Sequence, residues 1–319
     1  MELHLTHSMV DKYLSGVSSL ISPESRSFTC DPGSTTPMNL VQPHVMCPVI
    51  GNNWLRFLLA HTWLYNQPGD ANWYREYDFN LIEDAIPDLE YGPNRYKYPF
   101  HEPFRAFKSH QPFTLNALPG KCAETVGTME DFQCACPNCP AKWTRILHLV
   151  RDGRDVMCSY YHFRKGLGTL EPYNMSFEDF LEADIYPGFK WADHVASYLR
   201  LQGNETFDVL TIKYEDLHEN PREVLTEVAK WVGLGHREEV ITRAVEMSSF
   251  KRMRQKEETA GLRLFDQQYP HRDSRWRLTR KGQAGGWREC FTTQAAKDKW
   301  NELALDVMYD LGYIDSVDW

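Results

Sequence analysis

The chain has 319 residues, of which 42% are hydrophobic and 25% charged, which is typical of a globular protein and excludes a disordered chain or a coiled coil. With 35 Lys and Arg against 44 Asp and Glu, its formal net charge is -9, so the overall field repels nucleic acid and anionic membranes. The sequence lacks a run of ~20 apolar residues and a signal-peptide pattern, which predicts a cytoplasmic protein with reduced thiols.

The chain begins with a segment that is a poor candidate for core structure. We predict that residues 1–40, rich in Ser, Thr and Pro over much of their length, form a loosely ordered arm, and that residues 41–319 form one domain. In the segment from Cys47 to Tyr65, a short apolar run and a glycine precede Leu and Trp residues at helical spacing. This order predicts a strand, a tight loop and a buried helix. Residues 66–103 predict loops and short helices.

Three further short apolar runs predict buried strands of a parallel sheet: FRAFKSH, WTRILHLVR and FDVLTIKY. Helical patterns lie between and after them, at 153–164, 176–184, 189–202, 221–233, 237–247 and 293–311. The alternation of strand and helix predicts an α/β fold with a central parallel sheet and helices on both faces. The charged stretch 253–276 is predicted to be a surface lid.

Three loops could bind an anionic group. The loop 48–54 joins a strand to a helix N-terminus, so its backbone N–H groups could bind a phosphate. Arg151 ends a strand and Ser159 lies two turns into the next helix, so a guanidinium and a hydroxyl could converge. The loop 280–287 is cationic and glycine-rich. Each loop alone also fits an ordinary solvated turn or helix start, and no Walker A motif is present, which disfavours a nucleotide kinase.

In this order and at these separations, the loops resemble those of the cytosolic-type sulfotransferases, which use 3′-phosphoadenosine 5′-phosphosulfate (PAPS) as donor. RILHLVRDGRDVMCSYYHF resembles the family's 3′-phosphate motif, and TRKGQAGGWRECFT resembles its C-terminal phosphate-binding loop. CPVIGNNWLRFLL takes the place of the 5′-phosphosulfate loop, which reads P-K-S-G-N-T-W in bacterial-type relatives. The resemblance spans about residues 43–312 and implies a P-loop-like three-layer fold.

The resemblance also implies the roles of individual residues. His110 would be the catalytic base, and Lys108 would support the acceptor oxygen or the transferring group. Without the resemblance, His110 would be interpreted as an ordinary core histidine. The residues implied to bind the donor are Gly51, Asn52, Asn53, Trp54, Arg151, Ser159, Tyr214, Ser248, Phe250, Arg280, Lys281 and Gly282.

The sequence departs from the family at the donor loop. Val49 stands where the family places a lysine against the bridging oxygen of the donor, and Ile50 replaces a serine. Two hypotheses follow: a sulfotransferase acting on a hydroxyl or amine of a small molecule, or a non-catalytic 3′-phosphoadenosine nucleotide-binding protein. Retention of His110 and Lys108 favours the enzyme. Acceptor specificity is expected in the loops 66–103, 164–176 and 253–276, and the sequence leaves the oligomeric state open.

A cysteine cluster has no counterpart in the family pattern. Cys134, Cys136 and Cys139 have a spacing that recurs in zinc sites, and Cys122 could complete a tetrahedral set. Free thiols are the alternative interpretation. Bound zinc would be structural, because the cluster lies in a loop before the strand that leads to Arg151.

Overall fold

The computed structural model describes residues 44–48, 52–86, 106–108, 110, 145–170, 174–183, 190–203 and 207–319. Its sheet has four parallel strands in the order β2-β1-β3-β4: β1 His44–Pro48, β2 Ala106–Lys108, β3 Arg145–Val150 and β4 Asp208–Lys213. Val45 pairs with Phe107 on one side and with Ile146 on the other. The predicted parallel sheet is confirmed, and all four strands end at the same edge.

Eleven α-helices lie within the described residues. They are α1 Asn52–Asn66, α2 Phe79–Ala85, α3 Gly153–Leu167, α4 Phe177–Glu182, α5 Trp191–Leu199, α6 Tyr214–Glu219, α7 Pro221–Trp231, α8 Glu238–Met247, α9 Phe250–Ala260, α10 Arg263–Gln268 and α11 Gln294–Asp310. The six helical ranges predicted from residue 153 onward are confirmed as α3, α4, α5, α7, α8 and α11, with ends displaced by three residues at most. The helices α6, α9 and α10 were not predicted from the sequence. The start of α3 is capped by the Asp152 carboxylate, which accepts from the Arg154 N–H. It continues to Leu167 because Gly168, with φ 68°, supplies its left-handed end.

Alternate residues of β3 face two different helical layers. Leu147 and Leu149 are buried in an apolar cluster with residues of α1, α7 and α8. Val150 belongs to a second cluster, built mainly from α3, α5 and α11. His148, on the same side as Val150, stacks on Tyr198 of α5 with ring centroids 5.0 Å apart. Because successive strand residues point to opposite faces, helices cover both sides of the sheet, and the three-layer α/β architecture is confirmed.

The charged stretch 253–276 is more than a surface lid. It contains most of α9 and all of α10, and Trp276 is buried in the first apolar cluster. The buried Glu257 carboxylate accepts from the backbone N–H groups of Leu278, at 2.7 Å, and Thr279, at 2.9 Å. The expectation of a wholly superficial segment is therefore wrong, because its composition conceals buried charges that are satisfied internally.

Two sequence predictions concern residues that the structure describes only in part or not at all. The arm 1–40 lies outside them, so the division into an arm and a domain 41–319 stays a prediction. Within the described ranges, no helix combines the length and the apolar character that a bilayer span requires.

Candidate active site

A cavity of about 1110 Å³ lies at the edge where the strands end, and it gathers most of the predicted site residues. The predicted residues that line it are Asn52, Asn53, Trp54, Lys108, His110, Arg151, Ser159, Tyr214, Phe250, Arg280, Lys281 and Gly282. Crevices at the carboxyl ends of parallel strands are the usual ligand sites of such sheets. The fold thus brings side chains more than 200 residues apart into one cavity.

The start of α1 forms one wall. Asn52 and Asn53 begin this helix and line the cavity, so its N-terminus is close to the site. Arg56, one turn further on, is completely buried; its guanidinium donates to the Asn53 side-chain oxygen at 3.1 Å and to Glu83 of α2 at 2.7 Å. Arg56, which orients Asn53, was not among the residues predicted from the sequence, although the two lie three residues apart on one helix.

Aromatic rings form a second wall. The rings of Trp54 and Tyr214 meet edge to face with centroids 5.9 Å apart. His218, one turn after Tyr214 on α6, packs against Trp54 at 6.2 Å and hydrogen-bonds through Nε2 to the Gly282 carbonyl at 3.1 Å. His218 also lines the cavity and was missed from the sequence, where only its spacing of four residues from Tyr214 marks it.

Gly282 and Phe250 are in close contact across the same region. Gly282 has φ 62°, and a Cβ at this position would lie 2.3 Å from Cδ2 of Phe250. Glycine is therefore required here both by the left-handed backbone and by the neighbouring ring. The contact brings the 280–287 loop against the first residue of α9.

Arg151 connects the sheet to that loop. Its guanidinium lies 4.3 Å above the Tyr214 ring, donates to Asp155 at 3.1 Å and donates to the Gln283 carbonyl at 2.9 Å. The Asp155 carboxylate also accepts from the backbone N–H groups of Gly285, at 2.8 Å, and Trp287, at 2.7 Å. Asp155, another residue missed from the sequence, thus fixes the loop to the first turn of α3.

The two cations of the loop share one carboxylate. Arg280 donates to Glu289 at 2.5 Å, and Lys281 also forms an ion pair with it. Burial alone would raise the pKa of Glu289, but the hydrogen bonds from Lys281 and Arg280 lower it. Burial, followed by the charge of Arg280, lowers the pKa of the adjacent His162, which favours the neutral ring. Arg280 and Lys281 are therefore already arranged to hold an anionic group.

Lys108 and His110 reach the cavity from the end of β2. Lys108 is the last residue of this strand and is buried, and His110 follows two positions later. Both line the cavity that Arg151 and Ser159 also line. Val49 and Ile50 lie outside the described residues, so the structure shows nothing about the place of the missing lysine.

A second group of aromatic rings lines another part of the cavity. Phe163 of α3 contacts Trp276 at 5.6 Å and Phe265 of α10 at 6.0 Å, measured between ring centroids. Phe265 and Trp276 are themselves 5.4 Å apart. All three rings line the cavity, in or beside the segments where acceptor specificity was expected. This wall offers an apolar, aromatic surface to a ligand.

One predicted site residue among those that the structure describes, Ser248, does not line the cavity. Ser248 is completely buried, and its hydroxyl lies 2.9 Å from Nδ1 of His61, whereas the following Ser249 lines the cavity. Gly51 and the predicted zinc ligands Cys122, Cys134, Cys136 and Cys139 lie outside the described residues, so these assignments stay predictions.

The expectation of reduced thiols is wrong for one pair of cysteines. Cys158 of α3 and Cys290, after the 280–287 loop, form a disulfide. The sequence offered no sign of it, because 132 positions separate the two residues and only the fold brings them together.

Comparison with protein families gives a match over most of the chain. The family model described as the sulfotransferase domain matches residues 51–312. Sulfotransferase 1C2 of Rattus norvegicus is 29% identical over 174 residues, which cover 51% of this chain and 55% of that protein. Sulfotransferase 1A1 of Canis lupus familiaris is 30% identical over 152 residues, covering 46% and 50%. The chain spans about half the length of the curated relatives it matches.

Solved structures share the fold at lower identity. The crystal structure of mouse sulfotransferase SULT7A1 complexed with PAP superposes with a TM-score of 0.52 at 19% identity, over 83% of this chain and 82% of that one. Retinol dehydratase in a complex with retinol and PAP gives a TM-score of 0.55 at 20% identity, over 88% and 84%.

Proposed function

The chain belongs to the sulfotransferase domain family, and on that premise we propose that it transfers a sulfo group from PAPS to a hydroxyl or amine of a small-molecule acceptor. The observation that carries the proposal is the single cavity in which cations, a helix N-terminus, aromatic rings, Lys108 and His110 come together. The solved relatives named above were crystallised with PAP, the desulfated form of this donor.

Two groups of cavity residues would bind the donor, one cationic and one aromatic. Arg151, Ser159, Arg280 and Lys281 provide charge and hydrogen bonds for the 3′-phosphate, and the phosphate takes the place of the Glu289 carboxylate on the two loop cations. Trp54, Tyr214 and Phe250 provide ring faces and edges for the adenine. The proposal therefore requires that a 3′-phosphorylated nucleotide binds much more tightly than 5′-AMP.

The transfer step needs positioning, charge stabilisation and removal of one proton. His110 accepts the proton of the acceptor hydroxyl or amine, and the acceptor atom forms its bond to sulfur as the bond to the bridging phosphate oxygen breaks. Lys108 stabilises the negative charge that develops at that centre. The aromatic wall around Phe163, Phe265 and Trp276 holds the acceptor. A cytoplasmic location and the lack of a nucleic-acid partner stay predictions.

Val49 favours one alternative function. A chain that lacks the loop lysine could bind the nucleotide without transferring the sulfo group, as a non-catalytic binding protein. Retention of Lys108 and His110 at the cavity supports the enzyme, because nucleotide binding alone does not need a base.

One experiment separates the two functions. Sulfur-radiolabelled PAPS is incubated with the chain and a pool of small phenols, alcohols and amines, beside His110→Ala as a matched variant. Binding of PAP and of 5′-AMP is measured by calorimetry. We expect transfer by the native chain, a loss of roughly 10²–10⁴-fold in the variant and similar PAP affinity in both. PAP binding without transfer would support the alternative, and equal affinity for PAP and 5′-AMP would refute both.

A further inference from the structure

The disulfide between Cys158 and Cys290 lies between the two segments that build the proposed 3′-phosphate site. Ser159 directly follows Cys158 on α3, and Glu289, which holds both loop cations, directly precedes Cys290. We propose that these cysteines form a reversible redox site that exchanges with low-molecular-weight thiols of the glutathione class, and that its disulfide form binds the 3′-phosphorylated nucleotide more tightly. The second part rests on the proposed function; the first does not.

The two cysteines differ in burial and surroundings. Cys158 is completely buried, whereas Cys290 is partly buried, so we assign Cys290 as the residue that an external thiol attacks. The Cys290 sulfur is 3.7 Å from Nε2 of His162, a ring that lines the cavity. The Cys158 sulfur is 3.6 Å from a Glu289 oxygen. An imidazole nearby can accept a thiol proton.

The exchange is balanced in atoms and electrons. The thiolate of one glutathione attacks the Cys290 sulfur, the bond between the two protein sulfurs breaks, and the Cys158 sulfur leaves with the electron pair and takes a proton. A second glutathione attacks the mixed disulfide and releases Cys290 as a thiol. One protein disulfide is reduced while two glutathione molecules are oxidised to one glutathione disulfide, which serves as the oxidant in the reverse direction.

The disulfide should affect nucleotide binding because it attaches the segment that follows the 280–287 loop to α3. Without the disulfide, the Asp155 carboxylate still fixes Gly285 and Trp287 through their backbone N–H groups. The bond adds a second attachment at the end of this segment, next to Glu289. The disulfide form thus restricts the loop and its cations before the nucleotide arrives, which reduces the ordering required on binding.

Four side chains in and around the disulfide could also form a metal site. Ligand atoms of Cys158, His162, Glu289 and Cys290 all lie within 4.8 Å of one another. The observations favour the redox site, because the sulfurs are bonded to each other and because the Glu289 carboxylate is already neutralised by Arg280 and Lys281. Zinc binding is nevertheless an outcome that the experiment must detect.

The test titrates the full chain in glutathione buffers of varying ratio and follows the peptide pair linked through Cys158 and Cys290 by alkylation and mass spectrometry. PAP affinity is measured by calorimetry on the fully reduced and fully oxidised protein, with metal analysis of both. We expect the linked peptides to appear and disappear reversibly, and PAP to bind about fivefold or more tightly to the oxidised form. Because coupling is reciprocal, saturating PAP should shift the exchange equilibrium toward the disulfide by the same factor.

Variants separate this pair from the other cysteines. The double variant Cys158→Ser and Cys290→Ser should lose the redox dependence of PAP affinity, whereas Cys30→Ser, in the predicted arm, should keep it. The redox comparison on the native chain needs no variant and remains decisive if the double variant does not fold.

Three results would overturn parts of the proposal. Cysteines that stay unlinked in glutathione disulfide would remove the redox site, and one equivalent of zinc bound to the reduced protein would replace it with a metal site. Equal PAP affinity in both states would remove the coupling. Failure of PAP to bind either state would instead refute the proposed function, while the glutathione titration would still decide the redox site.

Discussion

Replacing Gly282 by alanine tests whether the contact between the loop and Phe250 shapes the nucleotide site. The new Cβ would lie 2.3 Å from the Phe250 ring, so the ring must move by roughly 1 Å to reach ordinary van der Waals contact. Alanine also takes on the left-handed backbone, at about 1–2 kcal/mol. Stacking of a base on an aromatic ring contributes about 1–3 kcal/mol, so displacement of Phe250 should weaken PAP binding by roughly 5- to 150-fold.

The control is a glycine with the same backbone but no close neighbour. Gly233 has φ 78°, and a Cβ there would meet nothing within 4 Å. Gly233→Ala should lower the free energy of unfolding by the backbone term alone, about 1–2 kcal/mol, and leave PAP affinity unchanged.

Calorimetry of PAP binding and urea unfolding of both variants provide the measurements. In a Phe250→Ala background, Gly282→Ala should cause little further loss of affinity, because the ring that carries the effect is already absent. The reasoning is refuted if Gly282→Ala binds PAP as well as the native chain does, or if the control loses as much affinity.

Three further predictions concern charge. Arg151→Ala should weaken PAP binding by roughly tenfold to more than a hundredfold in calorimetry, since a charge-assisted hydrogen bond contributes about 1.5–3 kcal/mol; an unchanged affinity would remove Arg151 from the site. If Lys108 replaces the lysine missing at Val49, Lys108→Ala should abolish radiolabel transfer and Val49→Lys in that background should restore part of it, whereas brisk transfer by Lys108→Ala would contradict this. Burial, followed by the charge of Lys256, lowers the pKa of His61 to about 3. The unfolded chain therefore binds a proton that the native protein does not, and the free energy of unfolding should fall by up to about 1.4 kcal/mol per pH unit as the pH decreases from about 6.5, with a shallower fall in His61→Gln in urea titrations.

The sequence predicted the frame of the site because its signals are local. Short apolar runs predicted the parallel strands, and helical periods predicted α3 and α11. The resemblance of the motifs around Arg151 and Lys281 to a known family implied which loops meet at the cavity. These features depend on residues close together in the chain.

What the sequence did not predict depends on contacts between distant residues. Asp155 and His218 act on partners more than 60 positions away. Ser248 faces His61 and not the cavity, a choice between two neighbouring serines that packing decides. No short-range pattern contains this information, because the partner is known only once the fold is known.

The wide separation of the contacting aromatic residues also bears on how the protein folds. Trp54 meets Tyr214 across 160 positions, and the Gly282 carbonyl meets His218 across 64. The cavity consequently cannot exist on a nascent chain until the last third has been synthesised and docked. A ligand of this cavity therefore binds only the completed native state and raises the melting temperature with its concentration, so nucleotide-dependent thermal protection reports on tertiary assembly of the entire domain.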